Sequence, residues 1–180
     1  VPIIPNDKDK DSVMTVVNKL NDSFGEFRVI IDDRSEVSPG FKFNEWEQKG
    51  VPLRVEVGPK DIEKNTILVS RRDNESKNSY PIDDVQNTIK KLLNEIQDNL
   101  YKNSENTLKD NTTHVESFSE LIEVLNSKKG FVSCFWKENK EDELKIKEET
   151  SATLRCYPLE NTDTEKSVNS DSEKGNFAIF

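Results

Sequence analysis

Four residues between positions 43 and 60 carry side chains that suit contact with a single-stranded nucleic acid. Phe43 and Glu47 stand four apart in a segment with helical periodicity, so they share one helix face. An aromatic ring offers a surface on which an unstacked base can stack, and a carboxylate accepts the N–H donors of the Watson–Crick edge of guanine. Arg54 has a planar fork that can donate to guanine O6 and N7, and Lys60 can reach a base or a phosphate. Together these residue types suit the recognition of unstacked guanines.

Each of the four residues also has an ordinary structural interpretation. Phe43 alone fits an aromatic residue of a core or groove. Glu47 and Lys60 fit solvated surface charges, and Arg54 fits an exposed strand residue or an ion-pair partner. The residue types and their spacing leave both interpretations open.

The sequence around these residues predicts a helix, a turn and a strand. Ser38 is a candidate N-cap with Pro39 in the first turn, and Gly50 and Pro52 bound the other end of the helix. A strand with one polar face follows, because apolar and polar residues alternate through Leu53, Arg54, Val55, Glu56 and Val57. We interpret Trp46 and the apolar members of this strand as core residues.

The first part of the chain predicts an α/β domain. Val1 to Pro5 resembles the end of a strand, and Phe27 to Ile31 and Ile67 to Val69 are typical of buried strands. The order strand, helix, strand, helix, strand, strand implies a five-stranded mixed sheet flanked by helices. A long helix follows, with its apolar face at Val85, Ile89, Leu92, Leu93, Ile96 and Leu100.

A second, smaller domain is predicted after this helix. The apolar pattern fades between residues 103 and 113, so we divide the chain into domains at residues 1–108 and 109–180. Ser117 and Glu120 form a capping box for a helix, and Phe131 to Trp136 and Phe177 to Phe180 are predicted strands. The polar stretch of residues 160–175 is interpreted as a mobile loop. This arrangement predicts a small α+β domain.

Composition and charge limit the class of protein. The formal net charge is −9, which opposes a nucleic-acid role, but residues 26–72 balance nine basic against nine acidic side chains. A neutral surface can bind RNA when base contacts supply the specificity. The chain has two cysteines, which favours a reducing compartment, and we expect the cytoplasm. It has no apolar run of bilayer length, so we expect no membrane association. The chain begins with Val1, which we interpret as the start of a fragment.

An autonomous enzyme has little support in the sequence. His114 is the sole histidine and has no nucleophile close to it in sequence, so we interpret it as an ordinary surface residue. The chain has no Gly-rich phosphate loop and no recognisable motif of paired catalytic carboxylates. A binding module is therefore the favoured class.

The run SPGFKFNEWEQKGVPLRVEVGPKD, from Ser38 to Asp61, closely resembles the archaeal/eukaryotic-type prolyl-tRNA synthetases. The likeness extends to Asp32–Arg34, Val69–Asp73 and Lys147–Pro158. Other class II synthetases share the anticodon-domain fold, but the GVPLRVEVGPKD run (Gly50–Asp61) and the EET segment (Glu148–Thr150) resemble the prolyl branch specifically. The resemblance covers nearly the whole chain.

The resemblance implies an anticodon-binding domain followed by a C-terminal domain of the zinc-binding type. It places contacts with the anticodon of tRNA(Pro) at Phe43, Glu47, Arg54 and Lys60. In that family the catalytic core lies upstream, uses ATP and Mg²⁺ to ligate proline to tRNA(Pro), and commonly forms a homodimer. We expect none of these cofactors in this part of the chain. The alternative is a stand-alone synthetase-like module that docks another protein. The acidic second domain suggests this alternative.

The resemblance also raises the question of zinc, because related chains carry two pairs of cysteine ligands in the terminal domain. Aligned on the EET segment, those positions fall at Lys137, Asp142, Ser167 and Ser170, none of which is a thiol. Structural zinc takes four Cys or His ligands, and a charged lysine cannot be one. We therefore expect no metal, and interpret Cys134 and Cys156 as buried packing residues.

Overall fold

A computed structural model describes residues 1–128, 130–161 and 163–180 of the chain. These residues form two compact units, residues 1–102 and residues 103–180, each with its own hydrophobic core. Among the described residues, no helix is long and apolar enough to cross a bilayer.

Unit 1 contains four α-helices and a three-stranded antiparallel sheet. The helices are α1 (Lys10–Ser23), α2 (Pro39–Gln48), α3 (Pro59–Glu63) and α4 (Val85–Asp110), the last of which continues into unit 2. The strands β1 (Leu53–Glu56), β2 (Thr66–Arg71) and β3 (Lys77–Pro81) lie in that order in the sheet. A parallel bridge between Pro2 and Val57 makes the overall pairing mixed.

The predicted five-stranded sheet is wrong. Phe27 to Ile31 does not form a strand, and Val29 and Ile30 are 39% and 61% exposed. Val1 to Pro5 contributes a single bridge, with Ile3 N donating to Val57 O at 2.8 Å. A run of apolar residues fits a buried strand by composition, but a strand also needs a neighbouring backbone. Residues 27–31 instead line an open apolar groove of about 410 Å³ beside β1.

The core of unit 1 forms where α1 and α4 cover one face of the sheet. Helical spacing brings Val13, Val17 and Leu20 of α1 to one side, as it does Val85, Ile89 and Leu92 of α4. These side chains belong to one buried cluster with Val57, Ile67 and Val69. The predicted apolar face of α4 is therefore confirmed at Val85, Ile89, Leu92 and Ile96, but Leu100, predicted on the same face, is 42% exposed.

The helix-turn-strand element that carries the candidate site follows its local signals. The Ser38 side chain accepts a hydrogen bond from Phe41 N at 3.3 Å, and Pro39 occupies the first turn of α2. The helix ends before Gly50, whose φ of +81° lies in the left-handed region that glycine adopts without strain. Val51 and Pro52 then lead directly into β1, so α2 and β1 are fixed neighbours.

The described residues of unit 2 form an α+β arrangement around a four-stranded mixed sheet. Its strands are β4 (Thr112–His114), β5 (Phe131–Trp136), β6 (Thr164–Lys166) and β7 (Lys174–Ile179), and its helices are α5 (Phe118–Ser127) and α6 (Lys140–Thr150). The order in the sheet is β4-β5-β7-β6, with β4 and β5 parallel and the other pairs antiparallel. The core includes Leu121, Val132, Trp136 and Ile146.

Two expectations for unit 2 are corrected. The stretch of residues 160–175 contains β6 and the buried Ser167, because its backbone pairs with β7, although Thr162 lies outside the described residues. Cys134 is buried as expected, and burial raises the pKa of its thiol to about 12. Cys156 is exposed, because it bridges Ile179 at the margin of the sheet rather than within the core.

Candidate nucleic-acid interface

Three of the four predicted contact residues come together where α2 lies against β1. The Arg54 guanidinium carbon lies 3.9 Å from the centroid of the Phe43 ring, in a cation–π arrangement. Arg54 Nη1 donates a hydrogen bond to Glu47 Oε1, so the arginine joins the two helix residues. The one-turn spacing of Phe43 and Glu47 on α2 makes this double contact geometrically available.

The alternation of β1 is confirmed, but within Leu53–Glu56 the polar side chains are more buried than the apolar ones. The polar residues Arg54 and Glu56 are buried, whereas the apolar Leu53 and Val55 are half-buried beside the open groove. Phe43 covers the polar side of the strand, which removes the arginine from bulk water. Of the two structural roles given for Arg54, an exposed strand residue or an ion-pair partner, the structure shows the ion pair.

Two residues that the sequence analysis did not single out complete this cluster. Glu56 Oε1 accepts a hydrogen bond from Arg54 Nε at 3.0 Å, and both side chains are at least 90% buried. Lys77 of β3 places its Nζ 4.0 Å from Glu56 Oε1 and 5.7 Å from the Phe43 ring centroid. The spacing of Glu56, two residues after Arg54 in a strand, could have identified it. Lys77 is far along the chain and gave no such signal.

The fourth predicted residue, Lys60, does not join this cluster. It is exposed in the first turn of α3, and within the described part of the chain no hydrogen bond or ion pair links it to Phe43, Glu47 or Arg54. The structure thus assembles three of the predicted residues and leaves the fourth as a separate surface cation.

A buried carboxylate holds α2 in place. Asp32, with 2% of its side chain exposed, accepts hydrogen bonds from Arg34 Nε at 2.8 Å and Arg34 Nη2 at 2.7 Å. Trp46 Nε1 donates to Asp32 Oδ2 at 2.8 Å, and Arg34 also pairs with Glu45 at 2.6 Å. The Arg34 hydrogen bonds hold the pKa of Asp32 well below its usual range. Trp46, expected in the core, is a half-buried anchor of α2 to this carboxylate.

Arg71 forms ion pairs with Asp73 and Glu95 within unit 1. Its Nη2 lies 2.9 Å from Asp73 Oδ2, and its Nη1 donates to Glu95 Oε2 at 2.8 Å. Asn99 also donates to Asp73, so the end of β2 is tied to α4. The neighbouring Arg72 is exposed.

Three of the four positions aligned with zinc ligands meet in unit 2 through hydrogen bonds. Lys137 N donates to Ser167 Oγ at 2.9 Å and to Asn169 Oδ1 at 3.0 Å. Asn169 Nδ2 donates to Asp142 Oδ2 at 2.9 Å and to Lys137 O at 2.9 Å. Ser170 takes no part in these bonds, and Asn169 holds the central place. Among the described residues, no cluster of three or more His, Cys, Asp and Glu side chains could hold a metal ion.

Comparison with protein families assigns both parts of the chain. Residues 1–92 match the family described as "Anticodon binding domain". Residues 118–180 match the family described as "Prolyl-tRNA synthetase, C-terminal".

Two similar proteins are both named proline–tRNA ligase. The chain is 44% identical over 164 residues to a proline–tRNA ligase of Roseiflexus sp. (strain RS-1), and 42% identical over 161 residues to that of Alkaliphilus oremlandii. Each match covers 89% of this chain and 34% of the relative, so the chain spans about a third of the length of the curated relatives.

A solved structure agrees with these matches. The crystal structure of prolyl-tRNA synthetase from Cryptosporidium parvum, in complex with L-proline and AMP, superposes with a TM-score of 0.85 at 34% identity. The match covers 99% of this chain and 39% of that one. The chain therefore belongs to the anticodon-binding domain family, in its prolyl-tRNA synthetase branch.

Proposed function

We propose that this chain binds the anticodon loop of tRNA(Pro) as the C-terminal part of a prolyl-tRNA synthetase. The observation that carries the proposal is the contact cluster of Phe43, Glu47 and Arg54 where α2 meets β1. The ligation of proline to tRNA(Pro), with its ATP and Mg²⁺, belongs in this proposal to the rest of the enzyme. The complete enzyme works as a homodimer in the cytoplasm.

The chemistry of the cluster suits guanine. Guanine presents O6 as an acceptor beside the N1–H and N2–H donors, and anticodons for proline carry guanine at the second and third positions. The Glu47 carboxylate, 47% exposed, supplies an acceptor, and Arg54 supplies N–H donors next to it. Adenine presents a donor where guanine has O6, so the same pair disfavours it.

Stacking on Phe43 supplies the part of the affinity that does not depend on the base. One face of the ring is already covered by the Arg54 guanidinium, so a base that stacks on Phe43 uses the opposite face. Lys77 is half exposed beside the same ring, within reach of a phosphate. Lys60, separate from the cluster, is proposed to contact a neighbouring nucleotide.

The formal charge of the cluster explains why an acidic chain can bind RNA. Arg54 and Lys77 offset Glu47 and Glu56, so the cluster is neutral and does not repel the phosphate backbone. Specificity then comes from base contacts rather than from a basic surface.

The experiment compares the wild-type chain and Glu47→Ala for binding to a synthetic tRNA(Pro) anticodon stem-loop and to a loop with a scrambled anticodon. We expect Glu47→Ala to weaken cognate binding by about 1–3 kcal/mol, the usual contribution of a good base contact, and to leave scrambled binding unchanged. The control is Glu123→Ala, which removes an exposed carboxylate of α5 in unit 2. Equal binding of both loops by wild-type and Glu47→Ala protein would reject the proposal.

A further inference from the structure

Glu56 occupies an unusual place for a carboxylate. It lies on β1 two residues after Arg54, so both side chains project from the same face of the strand. Only 10% of its side chain is exposed, although an ionised carboxylate out of water is costly unless it is paired. Arg54 Nε supplies that pairing at 3.0 Å, with Lys77 Nζ further away at 4.0 Å.

The Arg54–Glu56 hydrogen bond determines which edge of the guanidinium is available. Nε is bound to Glu56, so the side of the fork that contains Nε cannot meet a base. Nη1 points to Glu47, and Nη2 donates to no acceptor among the described residues. The Nη end of the fork is thus directed toward the half-exposed Glu47, where a base edge can approach.

A long arginine side chain would not keep this orientation by itself. Its rotamer freedom is large, and a cation–π contact allows the guanidinium to turn over the ring. A fixed hydrogen bond at Nε removes this rotation before the ligand arrives. Preorganisation of this kind reduces the entropic cost of binding.

We propose that Glu56 is a positioning residue for guanine recognition: it holds Arg54 by Nε over the Phe43 ring, so that the Nη end of the fork faces the bound base. This inference rests on the proposed anticodon-binding function. Glu56 itself touches no base. Its effect on binding passes entirely through Arg54.

A double-mutant cycle on the 180-residue chain tests this role. The ligands are the tRNA(Pro) anticodon stem-loop and the same loop with adenine in place of one guanine. We expect Glu56→Ala to weaken guanine-loop binding about tenfold and to reduce the discrimination against adenine. In an Arg54→Ala background the same substitution has no further effect. Glu56→Gln, whose amide oxygen still accepts from Nε, stays within about threefold of wild type.

A purely structural residue would behave differently in this cycle. It would lower binding by the same factor with and without Arg54, and that result would overturn the inference. Unchanged affinity and discrimination in Glu56→Ala would also overturn it. If instead the wild-type protein does not distinguish guanine from adenine or scrambled loops, the proposed function fails first.

A second measurement does not depend on the folding of the alanine variant. In the wild-type protein, the Arg54 Nε–Hε group should give a resonance in ¹H–¹⁵N NMR spectra that exchanges slowly with water. It should be lost in Arg54→Lys and shifted in Glu56→Gln, but little affected in Glu47→Gln. An Arg54 Hε that exchanges as fast as that of a free arginine would contradict the positioning role.

Discussion

Arg54 decides the character of the site because three different groups hold one guanidinium. The Phe43 ring centroid lies 3.9 Å from its central carbon, Glu56 binds Nε and Glu47 binds Nη1. An arginine with 7% of its side chain exposed is stable only with such partners, since its charge cannot be removed by deprotonation. The same contacts that stabilise the free protein also place a donor beside an acceptor for a base.

The aromatic ring of Phe43 is expected to contribute to RNA binding by stacking. Phe43→Leu keeps an apolar side chain of similar size but removes the flat ring, so we expect anticodon stem-loop binding to weaken by about 1–3 kcal/mol. Phe43→Tyr should bind nearly as well as wild type. Fluorescence anisotropy of a labelled stem-loop measures both.

Phe41 provides the matched control for this prediction. It lies on the same helix, is 54% exposed, and forms none of the aromatic or cation–π contacts found among the described residues. Phe41→Leu should leave the affinity unchanged. If Phe41→Leu and Phe43→Leu weaken binding equally, the loss reflects damage to α2 rather than loss of a stacking surface.

At the scale of elements, α2 is positioned by polar anchors as much as by apolar packing. Asp32 accepts from Trp46, Arg34 connects Asp32 to Glu45, and the buried Lys42 donates to Asp32 O at 3.3 Å. These contacts fix three positions along the helix, and Ser38 caps its start. Phe43 and Glu47 therefore face β1 from a helix that is held at several points.

We expect the hydrogen-bonded cluster around Lys137 in unit 2 to form without a bound metal ion. The Nζ of Lys137 pairs with Glu173 at 2.8 Å, and Asp142 is bonded to Asn169, so neither side chain offers a suitable zinc ligand. We propose that chelator-washed protein contains no stoichiometric zinc and that EDTA leaves its Tm unchanged. Elemental analysis and thermal unfolding measure these quantities, and one zinc per chain would contradict the proposal.

Asn169 is the residue on which this cluster most depends. Asn169→Ala removes its bonds to Lys137 and Asp142, so the free energy of unfolding should fall by about 1–3 kcal/mol in urea titrations. Asn176→Ala is the control, because Asn176 is exposed and its side chain forms no hydrogen bond among the described residues. Equal stability of the two variants would show that the cluster contributes little.

At the scale of the whole molecule, the described residues form two separate hydrophobic cores, one in each unit. The buried cluster of unit 1 lies beneath the sheet that carries Arg54, whereas that of unit 2 contains Leu121 and its neighbours. Every residue of the proposed RNA site belongs to unit 1. Damage confined to the second core should therefore leave base recognition intact.

A pair of core substitutions tests this division. Leu121→Ala and Ile67→Ala each remove a fully buried side chain, so each should cost about 2–5 kcal/mol of stability in its own unit. Binding of the anticodon stem-loop at low temperature should stay within about twofold of wild type in Leu121→Ala. It should fall in Ile67→Ala, since β2 pairs with the strand that carries Arg54. Equal losses of affinity would show that RNA binding requires both cores.

Much of this protein was determined by local sequence. Ser38, Pro39 and Gly50 define the bounds of α2 through capping and backbone preferences that act within a few residues. Alternation in Leu53 to Glu56 defines β1, and the run from Ser38 to Asp61 carried the family likeness that the comparisons confirmed. Three residues that interact in the structure, Phe43, Glu47 and Arg54, could therefore be singled out from the sequence.

The tertiary structure decided which of these groups meet and which are buried. Phe27 to Ile31 has the composition of a strand but does not join the sheet, and it lines the groove beside β1 with Val29 and Ile30 exposed. Arg54 is buried because α2 covers it, and Lys77 joins the cluster because β3 pairs with β2. Strand pairing and burial depend on contacts between residues distant along the chain, which local periodicity does not specify.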